Sequence, residues 1–147
     1  MSLSRFALMT GTIALACQAA VGCSQKEQTY SVAGMVTLDG KPLENVTVVF
    51  DLLSSDVTGK RYSARASTDS QGKYQLATFR PADGAVPGRY RVIIVPNLVF
   101  GDVTPAIQAE AAKKPTIPAR YLDFSTTPLE YEIKPTENQI DLVLHIR

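Results

Sequence analysis

From Tyr30 onward the chain alternates apolar and polar residues in short runs separated by turn residues. Tyr30, Val32, Gly34, Val36 and Leu38 fall on every second position, the period of a strand with one buried face. Asp39-Gly40-Lys41-Pro42 then reads as a turn, in which Gly40 tolerates a positive φ and Pro42 fixes its own. Residues 43–52 form a second strand. Val46, Val48 and Phe50 share one face and Thr47 and Val49 the other, and the β-branched density favours strand over helix. In residues 61–67, Tyr62, Ala64 and Ala66 alternate with Arg61, Ser63 and Arg65. The run Thr68-Asp69-Ser70-Gln71-Gly72 is a turn, with Asp69 capping its own backbone and Gly72 taking the left-handed position. Residues 73–77 follow as a short strand with Tyr74 and Leu76 inward. Residues 81–87 form a loop, and Gly88 opens a strand over 88–95 in which Tyr90, Val92 and Ile94 alternate with two arginines and Ile93.

Residues 96–127 break this rhythm. Pro96, Pro105, Pro115, Pro118 and Pro128 punctuate the span 96–128, and Thr104-Pro-Ala-Ile-Gln-Ala-Glu-Ala-Ala-Lys-Lys114 is the one stretch compatible with a short helix. Thr104 is placed to cap it, Pro105 sits in its first turn and the lysines suit its C-terminal end. Two strands finish the chain, over 129–133 and 139–146. A turn joins them, and Ile140, Leu142, Leu144 and Ile146 share one face of the last. The pattern predicts an all-β antiparallel sandwich of about seven strands with a long Pro-rich insertion at 96–127.

The N-terminus follows a different pattern. Arg5 supplies a positive charge, residues 6–16 a short apolar run, and Ala20-Val21-Gly22 lead to Cys23. The apolar run is too short to span a bilayer. This segment resembles bacterial lipoprotein signal peptides, in which cleavage precedes a cysteine that carries diacylglycerol. The match differs at Ala20, where the pattern prefers Leu. Cys17, after Ala14-Leu15-Ala16, is the rival lipidation site; secretion without lipid and a Cys17–Cys23 disulfide are the other readings. The resemblance implies a signal peptide over 1–22, lipid attachment at Cys23, a polar tether over 23–29 and one domain over 30–147. It places that domain outside the cytoplasm, on the bacterial cell membrane or the outer membrane. No cysteine follows Cys23, so the exported domain carries neither disulfide nor thiol chemistry.

Arg5 is the only charged residue before Cys23, so residues 23–147 carry 14 basic and 14 acidic side chains, interspersed. No basic block suits a nucleic acid and no acidic tail suits stored cations.

Three motifs then carry a second resemblance. They are Gly34-Met-Val-Thr-Leu-Asp-Gly40-Lys-Pro42-Leu-Glu-Asn-Val-Thr-Val-Val-Phe50, Thr68-Asp69-Ser-Gln-Gly72-Lys-Tyr74 and Pro87-Gly88-Arg-Tyr90-Arg-Val92. In this order and spacing they resemble carboxypeptidase regulatory-like domains, which have the transthyretin-like (prealbumin-like) sandwich. Ile117-Pro118-Ala-Arg-Tyr121 and Thr126-Thr-Pro-Leu129 are similar to segments of small exported proteins of planctomycete-type bacteria. The resemblance implies an accessory, structural or interaction module. The hormone channel of transthyretin does not carry over, since its contact residues have no counterpart motif.

Candidate chemistry is sparse. Gly40, Pro42, Asp69, Gly72 and Gly88 read as structural turn and strand-start residues, and Tyr74 and Tyr90 as core fillers. His145 is the sole histidine, too few for a zinc set without cysteine, and no Gly-x-Ser-x-Gly elbow is present for a triad. Glu130 and Glu132 share a strand face about 7 Å apart, a spacing that alternation on a solvated face also explains. Asp51, Asp56 and Asp69 could join in a calcium site but lack an Asp-x-Asp-x-Asp loop. No metal and no cofactor is expected. In the insertion, Phe100, Ile107, Arg120, Tyr121 and Phe124 either pin the long connection to the sandwich or form an interaction patch for a protein or glycan.

The leading expectation is a non-catalytic, lipid-anchored envelope domain with a structural or protein-interaction role. Its expected partners are membrane lipid, through acylated Cys23, and an envelope protein or glycan. A carbohydrate-binding or adhesion module is the runner-up. An enzyme, which needs His145 or a carboxylate pair lining a pocket, comes third.

Overall fold

The computed structural model describes residues 27–54, 60–97 and 116–147. Cys17, Cys23, Asp56, Phe100, Ile107 and the helix expected at 104–114 lie outside the described residues. Among the described residues there are nine strands: β1 Val32–Leu38, β2 Lys41–Pro42, β3 Val46–Ser54, β4 Ser63–Ser67, β5 Lys73–Gln75, β6 Gly88–Pro96, β7 Glu130–Ile133, β8 Asn138–Gln139 and β9 Leu142–Leu144. A 3-10 turn at Ala119–Tyr121 completes the described elements. They build two sheets with a shared core, an all-β sandwich-like arrangement.

The four-stranded sheet runs β4-β3-β6-β7 and is antiparallel throughout. The other sheet is centred on β1 and is mixed. β5 and β2 pair antiparallel with one edge of β1, while β8 and β9 pair parallel with its other edge. The expectation of an antiparallel sandwich is therefore corrected here. The chain returns from the far sheet before its last strands and enters beside β1 in the same direction as β1, so these pairs are parallel.

The strand expected over 139–146 is split into β8 and β9. Between them the Ile140 carbonyl turns inward, over the backbone of Gly34. A Cβ at Gly34 would stand 1.8 Å from that oxygen, so only glycine fits in the middle of β1. The Tyr74 hydroxyl donates to the same carbonyl at 2.6 Å, and the Asp141 Oδ1 accepts the Met35 N–H at 3.0 Å where the ladder is interrupted.

Alternation explains the core. Val32, Val36, Val48, Phe50, Leu52, Tyr90, Val92, Ile94, Leu142 and Leu144 are all fully buried between the sheets. The Phe50 ring sits at the centre, 6.3 Å from that of Tyr74, 6.0 Å from Tyr90 and 6.4 Å from Tyr131, each pair tilted. One aromatic side chain of β3 thereby touches β5, β6 and β7, and joins the two sheets. Among the described residues the buried polar side chains are all hydrogen-bonded. The Thr127 hydroxyl donates to Val92 O at 2.7 Å, and Asn138 exchanges bonds with the backbone of Lys134.

The sheets are linked at one edge, where Arg65 and Ala77 exchange both backbone bonds at 2.9 Å. The turn between β4 and β5 is held by Asp69, whose Oδ1 accepts the N–H groups of Gln71 at 2.8 Å and Lys73 at 2.9 Å. Gly72 has φ 73° and its absent Cβ would lie 2.6 Å from Val36 O, so this turn sits directly on β1.

Candidate functional site

Two ends of the sandwich and one sheet face carry the polar and aromatic groups available for function. At the C-terminal end, Pro118 has φ −57° and ψ 138°, an extended approach that the 3-10 turn then closes. The Tyr121 N–H donates to Pro118 O and the Leu122 N–H to Ala119 O, both at 3.0 Å. This places the Tyr121 ring inside the core, 3% exposed. Its hydroxyl accepts the His145 N–H at 3.1 Å and a bond from Arg120 Nη2 at 3.3 Å. The Arg120 guanidinium lies over the Tyr121 ring, 4.8 Å from the centroid, and donates to the carbonyls of His145 and, at 2.7 Å, Arg147. Asp39 accepts the Ile146 N–H at 3.3 Å, with His145 Nδ1 3.6 Å from the same carboxylate oxygen. Arg120 Nη2 thus ties the 3-10 turn to the backbone carbonyls of His145 and Arg147. The chemistry of this cluster is that of a clasp on a strand end.

Of the residues singled out in the insertion, Arg120, Tyr121 and Phe124 lie among the described residues. Tyr121 is a core residue, Arg120 is a half-buried clasp, and Phe124 is half-buried with its carbonyl accepting from Arg91 Nη1 at 3.0 Å. Alternation is a strand signal, and it could not report the burial of a tyrosine carried on a 3-10 turn.

The carboxylate pair on β7 is also divided by its surroundings. Glu130 accepts from Arg91 Nε at 3.1 Å and Nη2 at 2.7 Å, and lies 3.4 Å from Arg89 Nη2. The hydrogen bonds from Arg91 and the two guanidinium charges hold its carboxyl below the ordinary glutamate range, against a smaller opposing effect of desolvation. An acid held ionised in this way does not act as a proton donor near neutral pH. Glu132 is exposed one step further along. Among the described residues no group of three or more His, Cys, Asp or Glu is arranged to hold a metal ion. Asp69 is engaged by its own turn, and Asp51 is half-buried in β3 opposite Ser63 and Arg91.

On the outer face of the β1 sheet is an open cavity of about 620 Å³. Met35, Lys73, Gln75, Gln139 and Asp141 line it. Its polar side chains are the amides of Gln75 and Gln139, the carboxylates of Asp69 and Asp141, the hydroxyls of Ser67 and Tyr74 and the ammonium of Lys73, a set that hydrogen-bonds hydroxyl-bearing or peptide ligands. Lys73, Gln75, Gln139 and Asp141 are the outward halves of alternating strands, so their polarity was evident, but their convergence follows from the parallel return of β8 and β9.

The opposite end of the molecule holds Tyr30 and the start of β1. Tyr30 exchanges both backbone bonds with Ala85, at 2.9 and 3.0 Å. A Cβ on Gly84 would lie 1.8 Å from Tyr30 O, so the segment 78–85 is in close contact with the start of the fold. Asp83 organises that segment. Its carboxylate accepts the N–H groups of Thr78 at 2.7 Å, Phe79 at 3.1 Å and Arg80 at 2.9 Å, which projects Phe79 outward. The Phe79 ring meets Tyr62 edge-on, with centroids 5.6 Å apart and an interplanar angle of 82°. Phe79 remains 45% exposed and Leu53 36% exposed. The sequence reading missed Phe79. Its signal was a lone phenylalanine in a polar turn segment, Thr78-Phe79-Arg80-Pro81, but its place beside the N-terminus depends on the Tyr30–Ala85 pairing.

No protein-family model matches the chain, and no curated protein matches it.

Proposed function

We propose that the chain is an exported, lipid-tethered β-sandwich of the carboxypeptidase regulatory-like (transthyretin-like) kind, with a structural or protein-interaction role and no catalytic one. The observation that carries the reading is the position of Cys23. It follows Ala20-Val21-Gly22 and stands seven residues before Tyr30, which is already paired with Ala85. A chain of that length spans at most about 25 Å, so a lipid on Cys23 would hold the sandwich close to a bilayer surface. The motifs that carry the resemblance fall on strands and turns of the sandwich, which supports the reading. Gly34 lies in β1, Gly40-Lys41-Pro42 in the β1–β2 hairpin, residues 68–74 in the turn into β5, and Gly88–Val92 in β6.

Mass spectrometry of the mature N-terminus, after expression of the full chain in a bacterial host, tests the tether. Diacylglyceryl-modified Cys23 is expected, and Cys23→Ser should shift the protein out of the membrane fraction. An intact segment 1–22, or cleavage away from Cys23, would overturn the reading.

A carbohydrate-binding role is the second reading, favoured by the open cavity beside Gln75, Gln139 and Asp141. Side-chain amides and a carboxylate on one face suit vicinal hydroxyls. A glycan array with the wild-type protein and Gln139→Ala tests it: signals that the substitution abolishes support the role, and an empty array removes it.

A further inference from the structure

We propose that the tether end of the sandwich docks directly on an anionic lipid surface, with Phe79 as the inserted side chain and Arg61 and Arg80 as its headgroup contacts. The inference rests on the lipid-tether reading of Cys23 for its geometry, and it adds a second, independent contact with the same membrane.

The argument starts from which residues the topology brings to this end. β1 begins here, β3 ends here and β4 begins here, since Leu52 pairs with Tyr90 and its N–H donates to Tyr62 O at 2.9 Å. The segment after β5 also lies here, through the exchange between Tyr30 and Ala85. Tyr30 therefore lies at the end that carries Phe79, and by chain length a bilayer holding Cys23 would be within about 25 Å of Tyr30.

The surface has the chemistry of a membrane interface. Phe79 is held outward by a carboxylate-capped turn and braced by the edge of Tyr62, so its exposure is built in rather than left to a loose loop. Leu53, one residue beyond the β3–Tyr62 contact, adds a second exposed apolar side chain. Arg61 and Arg80, the chain neighbours of Tyr62 and Phe79, are exposed. Aromatic side chains with arginine neighbours partition to the headgroup boundary, where the ring sits among acyl carbons and the guanidinium reaches phosphates. Glu137 is an exposed acid at this end, whereas the carboxylate of Asp83 is turned onto backbone N–H groups of its own loop. At the opposite end the exposed Ile146 stands beside Asp39 and Arg147.

The chain contains no tryptophan, so a single substitution supplies a sole indole reporter. The full chain, processed in its host, is reconstituted into phosphatidylglycerol–phosphatidylethanolamine vesicles with brominated acyl chains, as Phe79→Trp and as Ile146→Trp. Emission from Phe79→Trp is expected to fall about twofold and shift to the blue, as for an indole at the acyl boundary, while Ile146→Trp is unchanged. Reversing Arg61 or Arg80 to Glu in the Phe79→Trp background should lower the ratio of docked to undocked protein about fivefold each. Equal, unquenched emission at both positions in protein that floats with the vesicles and carries the lipid overturns docking and leaves the tether intact. If mass spectrometry finds Cys23 unmodified, quenching of Phe79→Trp on added vesicles supports the surface without the tether, and its absence overturns both.

Discussion

The two sheets of this sandwich are built by different rules. In the four-stranded sheet β3 and β6 run side by side from Val46↔Pro96 to Leu52↔Tyr90 in unbroken antiparallel register, and β4 and β7 extend the same ladder. Backbone groups satisfy one another, and the side chains need only alternate and fill space. Around β1 the partners are strands of two or three residues, and specific side chains close the gaps between them. Asp141 replaces a ladder acceptor for Met35, the Tyr74 hydroxyl replaces a donor for Ile140, and Gly34 leaves room for the inward carbonyl. A continuous ladder spreads its stability over many equivalent contacts. A patched one concentrates it in a few irreplaceable residues.

The largest expected effect falls on the residue the two sheets share. Phe50→Ala removes a ring that touches Tyr74, Tyr90 and Tyr131, and should cost about 4 kcal/mol in urea unfolding. Because the ring spans both layers, native-state hydrogen exchange should accelerate in β1 and β3 alike. Gly34→Ala separates them. Its Cβ would overlap the Ile140 carbonyl, and that oxygen is backbone, so β8 and β9 must move or detach. A loss of about 3 kcal/mol is expected, with amides of Met35 and Ile140 exposed well before those of Val48 and Ile94. Uniform loss of protection in both sheets would show that the patched sheet has no separate weakness.

Two buried tyrosines sharpen the same contrast. The Tyr74 hydroxyl donates to Ile140, far away in sequence, and that of Tyr90 to Val86 at 2.8 Å within its own loop. Tyr74→Phe leaves a strand carbonyl without this donor and should cost about 2 kcal/mol, while Tyr90→Phe should cost about 1 kcal/mol. Burial pushes both phenols well above their ordinary titration range, with lesser contributions from Tyr131 and Asp141 at Tyr74 and from Asp51 and Tyr62 at Tyr90. The sign follows from linkage. The folded state keeps the proton that the unfolded chain releases near its ordinary value of about 10, so stability is full below that pH and falls as pH rises above it. The slope of that alkaline loss should be smaller in either phenylalanine variant than in the wild-type chain.

The same contrast decides what was legible in the sequence. β1, β3 and β6 were readable because β-branched and aromatic residues at period two suffice to specify a ladder, and their inward residues are the ones buried. The last strand was readable in its facing and not in its pairing. Ile140, Leu142 and Leu144 do point inward, but no periodicity reports that β8 and β9 lie parallel to β1 or that the chain breaks between them. Tyr121 was legible as an aromatic residue that either pins a Pro-rich segment to the sandwich or joins a patch; its burial is set by a 3-10 turn and by Arg120 stacking on it, which no periodicity reports. Phe79 was missed for a related reason. Its place beside the start of β1 comes from the Tyr30–Ala85 bridge between residues far apart in sequence.

The smallest effect belongs to the surface of the regular sheet, where the comparison predicts tolerance. Glu130 on β7 is paired with Arg91 and Arg89 of β6 across the ladder, and the arginines hold its carboxyl below the ordinary glutamate range. A depressed folded-state pKa contributes stability above the unfolded value, and that contribution fades as pH falls through the folded one. Solvent surrounds the pair, so screening keeps the contribution small. Glu130→Gln should therefore leave the urea midpoint almost unchanged at neutral pH, and the two proteins should become indistinguishable once Glu130 is protonated in acid. Raising salt at neutral pH should shrink the remaining difference. A large loss from Glu130→Gln, comparable with that of Tyr74→Phe, would mean that the regular sheet also leans on a single side chain, and the distinction between the two layers would fail.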